Sequence, residues 1–236
     1  MKQLALSVAV LLLASLEAGA AGQTAPAPAP AKTAAPNWVE GRNYYLIPQP
    51  RPTGLPAGKV EVTEVFSYAC PACNQFQPYM RKLRQSMPPN VVVDYVPASF
   101  NLAEDWPMFQ LAYETAKALG VADQAHDAMF DAVWTNGELA TTNSSGGLKS
   151  PMPTIEDAAR FYEKRGGVPA AKFIAMSKSF GVDSQVRIDE EKIKLFGVDR
   201  TPTLVVNGKY RLTVASAGSD EQTLELVSWL VAKESK

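Results

Sequence analysis

The chain has 236 residues, 46% of them hydrophobic and 20% charged, and its 23 Lys and Arg against 24 Asp and Glu leave a net charge of −1. That balance excludes collagenous, coiled-coil and wholly disordered chains. No basic run extends beyond the stretch Arg81 to Arg84, so nucleic acid is not an expected partner. Two cysteines and one histidine are too few for a disulfide-rich scaffold or a four-ligand structural zinc site, and neither a metal nor a bound cofactor is implied.

The first residues read as a secretory leader. Lys2 is a minimal basic region, Leu4 to Leu13 is apolar, and Ala18-Gly19-Ala20 suits cleavage near Ala20. The apolar run is too short to span about 30 Å of hydrocarbon, and Glu17 prevents its extension. Residues 21–43 are Ala- and Pro-rich, with too little bulky apolar surface to fold, and read as an extended linker. The packed domain is expected to start near Tyr44.

Val60 to Phe66 and Val91 to Val96 are short β-rich runs. Between them lie helix-spaced apolar residues at Phe76, Met80, Leu83 and Met87. Helical patterns then run through Met108, Leu111, Ala112 and Leu119, and through Met129, Phe130, Val133 and Trp134. Asn136 to Pro153 is the longest apparent loop of the domain. Thr154 with Asp157 predicts a capping box, and Pro169 and Asp183 predict two further helix starts, the last helix reaching about Phe196. Asn207-Gly208 between Leu204–Val206 and Tyr210–Thr213 predicts a hairpin, and Ser219 with Gln222 caps a final helix. The order predicts an α/β fold in which residues 44–101 and 198–236 form one sheet domain and residues 102–197 are a helical insertion.

Both cysteines occur in Cys70-Pro71-Ala72-Cys73, directly after a predicted strand and at the start of a helix. A helix N-terminus offers unpaired N–H groups and about half a positive charge, which favours a thiolate. Cys70 is therefore expected to be an exposed, acidified nucleophile. Cys73, one turn on and on the apolar stripe, is expected to be shielded and to resolve mixed disulfides. A structural disulfide across two intervening residues would close a tiny loop and stabilise little. A Cys–His hydrolase would need His126, which instead falls on an apolar helix face and reads as a packed core residue.

These segments resemble the thioredoxin-like superfamily and, within it, the DsbA family of periplasmic thiol oxidases. FSYACPACNQF resembles the family's active-site segment, and GVDRTPTLVVNGKYRL resembles its cis-proline loop and hairpin. The helical insertion has the family's placement, and the likeness runs from Val60 onward. It implies that Cys70 attacks, that Cys73 resolves, and that Pro202 after Thr201 is the cis-proline bordering a substrate-binding backbone. It also implies that Glu64 is the buried acid beneath the disulfide and that Pro78 is a helix-kinking proline. Read from the residues alone, Pro202 is an ordinary trans strand-entry proline, and Glu64 is either a surface residue of an edge strand or a buried proton relay. One departure stands out. Ala72 occupies the place where the family commonly has His, and alanine offers neither charge nor hydrogen bond to Cys70.

The expected function is an exported, periplasmic thiol–disulfide oxidoreductase, a monomer that introduces disulfides into unfolded exported proteins with free thiols. A DsbB-type membrane oxidase linked to quinone would recycle it, as the resemblance implies. Rival readings are a reductase or isomerase using the same cysteines, and a peptide-binding chaperone with a structural disulfide. Residues 23–42 are too short and too poor in apolar side chains to form the dimerisation domain that isomerases of this superfamily often carry.

Overall fold

The computed structural model describes residues 37–50 and 52–235. The leader and the linker up to residue 36 lie outside them. Residues 37–43, assigned to the linker by composition, are tied to the domain. Trp38 packs against the core, and the Asn43 side chain donates to the Ser216 carbonyl at 3.1 Å, while Ser216 Oγ donates back to the Asn43 carbonyl at 2.8 Å.

One five-stranded sheet organises the domain. Its strands are β1 (Tyr45–Leu46), β2 (Val60–Phe66), β3 (Val91–Pro97), β4 (Thr203–Val206) and β5 (Tyr210–Thr213), in the spatial order β1-β5-β4-β2-β3. Only β2 and β3 are parallel, which requires a crossover, supplied by helix α1 (Pro71–Ser86). The β4–β5 hairpin turns through Asn207 and Gly208 at φ +53° and +62°, both left-handed, and the Lys209 N–H closes the turn on the Val206 carbonyl at 3.0 Å before Val206 pairs with Tyr210.

β2 is buried almost throughout because it is a central strand covered on both faces. Side chains alternate along a strand, so Val62, Glu64 and Phe66 share one face while Val65 points to the other. Val62 and Phe66 join the core that holds Cys73, Phe76, Met80 and Leu83 of α1. Val65 joins a smaller core with Val96, Val205, Ile193 and Phe196. The alternation thus directs Glu64 into the space beneath α1.

Five helices lie between β3 and β4 in the chain: α2 (Trp106–Ala118), α3 (Ala122–Trp134), α4 (Ile155–Gly166), α5 (Ala170–Ser177) and α6 (Phe180–Phe196). Thr154 and Asp157 make both bonds of a capping box at the start of α4. α6 begins before the expected Asp183. The Ser179 hydroxyl reaches the free N–H of Val182, leaving Asp183 to pair with Arg187 one turn on. α2 and α6 bury Glu114 and Asp189 against each other, and Gln185 donates to Asp189 Oδ1 at 2.9 Å. After the hairpin come α7 (Val214–Ala217) and α8 (Asp220–Glu234), the latter capped by Ser219 accepting from the Gln222 N–H. Two-residue β1 and four-residue α7 lack the length to leave a periodic trace in the sequence.

Candidate redox site

The loop leaving β2 turns at once, with the Cys70 N–H donating to the Ser67 carbonyl at 3.1 Å. Cys70 is the N-cap of α1, with extended backbone and Pro71 as the first helical residue. Pro at this position loses nothing, since its N–H would have no helical partner. The Cys70 sulfur takes the capping role usually played by Ser or Asp, accepting from the Cys73 N–H at 3.3 Å. Pro78 lies inside α1 without ending it. Trp134 Nε1 donates to the Tyr68 carbonyl at 2.7 Å, which anchors the turn to α3.

Both cysteines are free thiols in this structure. Cys73 is fully buried, on the apolar stripe with Phe76 and Met80. Cys70 is only 4% exposed, and the expectation of an open thiol does not hold. The segment before β4 covers it: the Thr201–Pro202 bond is cis, and the Thr201 carbonyl stands 3.6 Å from Cys70 Sγ. Chain segments 131 residues apart therefore meet at the sulfur, which no local pattern could reveal.

The two thiols are driven apart electrostatically. Hydrogen bonding from the Cys73 thiol lowers the Cys70 pKa to about 6, against the opposing effect of burial. The Thr201 side chain and the backbone N–H groups of Cys73 and Ala72 add to the lowering. Burial pushes Cys73 well above the ordinary thiol value, and the neighbouring Cys70 and Glu64 charges push it the same way. One sulfur is a thiolate near neutrality and the other holds its proton.

Glu64 is completely buried, and neither of its carboxyl oxygens has a hydrogen-bond partner among the described residues. Burial, and then the Cys70 charge, raise its pKa to about 8, while Arg84 pulls it down. No motif in the sequence marks Arg84. It stands three helical turns beyond Cys73 on α1, a spacing that places it on the same face. His126 is a core residue as expected. It packs among Phe66, Tyr68, Tyr95 and Phe130, its Nδ1 is 3.0 Å from the Tyr68 hydroxyl, and burial lowers its pKa to about 3. Among the described residues no group of three or more His, Cys, Asp or Glu side chains is placed to hold a metal ion.

A family model described as thioredoxin matches residues 48–227. The thiol:disulfide interchange protein DsbA of Pseudomonas aeruginosa is 31% identical over 200 residues, spanning 85% of this chain and 87% of the relative. The chain belongs to the DsbA family. The DsbA of Azotobacter vinelandii is 32% identical over 194 residues, 82% of this chain and 83% of its own. The crystal structure of the oxidoreductase DsbA from Xylella fastidiosa superposes with a TM-score of 0.73 at 32% identity, covering 85% of this chain and 98% of that one. The DsbA fold is thus the thioredoxin-like α/β fold expected from the sequence, and the protein is a thiol:disulfide oxidoreductase that acts on thiol-bearing proteins. Its two cysteines, Cys70 and Cys73, lie close together, as a redox pair requires.

Proposed function

We propose that this protein is an exported dithiol oxidase in which Cys70 exchanges with substrate and Cys73 resolves. The observation that carries the reading is the opposite displacement of the two thiols, Cys70 down to about 6 and Cys73 well up. In the oxidised protein a substrate thiolate attacks Cys70 Sγ, the Cys70–Cys73 bond breaks, and Cys73 leaves with the electron pair. Cys73 then takes a proton, for which Glu64, neutral below about pH 8, is the adjacent donor. A second substrate thiolate attacks the substrate sulfur of the mixed disulfide and expels Cys70 as a thiolate. Substrate has lost two electrons and the protein dithiol has gained them. A leaving thiol of low pKa departs faster, so the features that acidify Cys70 favour this direction. Thr201 and Pro202 border the sulfur and form the backbone along which an extended substrate pairs.

The reading includes a leader cleaved near Ala20, a periplasmic location, a monomeric protein and recycling by a DsbB-type quinone-linked membrane oxidase. Among the described residues no helix is long and apolar enough to cross a membrane. Ala72 supports one alternative, a weaker oxidant working as a reductase or isomerase through the same sulfurs. Equilibrium titration of the Cys70/Cys73 pair against glutathione separates the two. A potential toward the oxidising end is expected, and one near that of thioredoxin would favour the reductase. Resistance of Cys70 to alkylation after mild reduction would instead favour a chaperone with a structural bridge.

A further inference from the structure

Beside the loop that covers Cys70 lies a cavity of about 460 Å³ that the thiol chemistry does not use. Arg42, Arg200 and Arg211 line it together with Tyr45, Asp199 and Ser216. Three guanidinium groups against one carboxylate leave its lining with two surplus positive charges.

Each arginine is held differently. The β1–β5 register sets Tyr45 opposite Arg211, whose guanidinium lies 5.5 Å from the Tyr45 ring centroid and donates through Nη1 to the Gly197 carbonyl at 2.5 Å. These contacts orient Arg211 without neutralising it. Arg200 pairs with Asp199 through bonds of 2.8 and 3.2 Å, but both side chains are largely exposed, so the pair is weak and exchangeable. Arg42 has no carboxylate partner among the described residues.

The cavity is continuous with the redox site along the chain. Arg200 immediately precedes Thr201, whose carbonyl touches Cys70, and Thr203, next after Pro202, also lines the cavity. A polypeptide joined to Cys70 and extended along Thr201 toward Arg200 or Thr203 would reach residues that line this cavity.

We propose that the arginine cavity receives an acidic side chain of the substrate polypeptide, so that the protein favours cysteines with Asp or Glu a few residues away. Guanidinium groups suit a carboxylate because their planar fork matches its two oxygens, and Arg42 and Arg211 are the two not engaged by an ion pair. The inference rests on the reading of Cys70 as the sulfur that binds substrate.

The test uses the full oxidised protein and dithiol peptides carrying Glu, in turn, at each of four positions on either side of the first Cys. Each is matched to a Gln peptide, with amidated C-termini so that only the side chain differs in charge. At one or two positions the Glu peptide is expected to react about threefold to fivefold faster, the size exposed ion pairs supply, with the ratio shrinking at high salt. Arg42→Gln should reduce that ratio, and Arg42→Gln with Arg211→Gln should bring it to one, the melting temperature of each variant serving as a check on folding. Equal rates for Glu and Gln peptides at every position would overturn the inference while leaving the thiol chemistry intact. A ratio that survives the double substitution would overturn it as well. Failure of every peptide to be oxidised, the Gln forms included, would overturn the reading of Cys70 and the cavity's role with it.

Discussion

Two buried carboxyl groups, Glu64 beneath α1 and Glu114 between α2 and α6, have pKa values raised to about 8, in both cases chiefly by burial. Their second causes differ. For Glu64 it is the charge of Cys70, a sulfur that changes charge during exchange. For Glu114 it is the charge of Asp189, a second carboxyl, to which Gln185 donates. Asp189 is itself raised by burial. A perturbed pKa therefore does not by itself mark a functional group. The two are separated by whether the proton has a reacting neighbour to go to.

The largest effect expected concerns the sulfurs on which Glu64 acts. Cys73→Ser should accumulate covalent complexes through Cys70, because the internal resolving thiol is gone, and Cys70→Ser should accumulate none. Non-reducing electrophoresis after exposure to a disulfide-bonded protein, one of whose sulfurs the Cys70 thiolate attacks while the other leaves as a thiolate, reads this directly, and equal trapping by both variants would break the assignment of attacking and resolving sulfurs.

Glu64→Gln should slow exchange on the order of 100-fold near neutral pH, the lower range for loss of a positioned proton donor. Glu114→Gln should leave the exchange rate unaltered. Stopped-flow oxidation of one dithiol peptide by both variants sets the two sites apart. A slow Glu114→Gln protein would break the comparison.

Stability should respond alike at the two sites. A carboxyl whose folded pKa is raised from 4.5 to about 8 contributes stability that is fully present below pH 4.5 and is lost as the pH rises through about 8. At about 1.4 kcal/mol per unit the loss is at most about 5 kcal/mol for the fully buried Glu64. Either Gln substitution should flatten the decline in denaturant midpoint between pH 5 and pH 9. Around Glu114 the other facing charges are Asp94 of β3, Lys117 of α2 and Asp189 of α6, with Lys192 of α6 facing Asp189, and none of them is altered by that change.

The smallest effect expected lies at Ala72. Ala72→His places an imidazole beside the Cys70 thiolate and should lower its pKa by one to two units. Because only the reduced state contains the thiolate, the potential should rise by roughly 30 to 60 mV, at about 30 mV per unit for a two-electron couple. A lower pKa without a higher potential would mean that something other than thiolate stabilisation sets the poise.

The site was legible in the sequence where its geometry is local. Cys70 and Cys73 come directly after a β-rich run and open an apolar-striped helix, so cap and shielded positions could be read from spacing. β4, β5 and their turn were marked by Asn207-Gly208, and α4 and α8 by their caps. The features that could not be read depend on distant pairing. The covering of Cys70 by Thr201, the tie between Asn43 and Ser216, and the arginine cavity all join segments far apart in the chain. Glu64 falls between these cases. Its burial is dictated by strand alternation only once β2 is known to be a central strand, which the sequence alone leaves open against an exposed edge.

The most direct test of the account is a titration of thiolate absorbance in the reduced protein, with Cys70→Ser as reference. The account predicts one ionisation near pH 6 that disappears in Cys70→Ser, with Cys73 contributing no step until well above the ordinary thiol range. A first ionisation at the ordinary value of about 9, or a step near pH 6 that persists without Cys70, would contradict it.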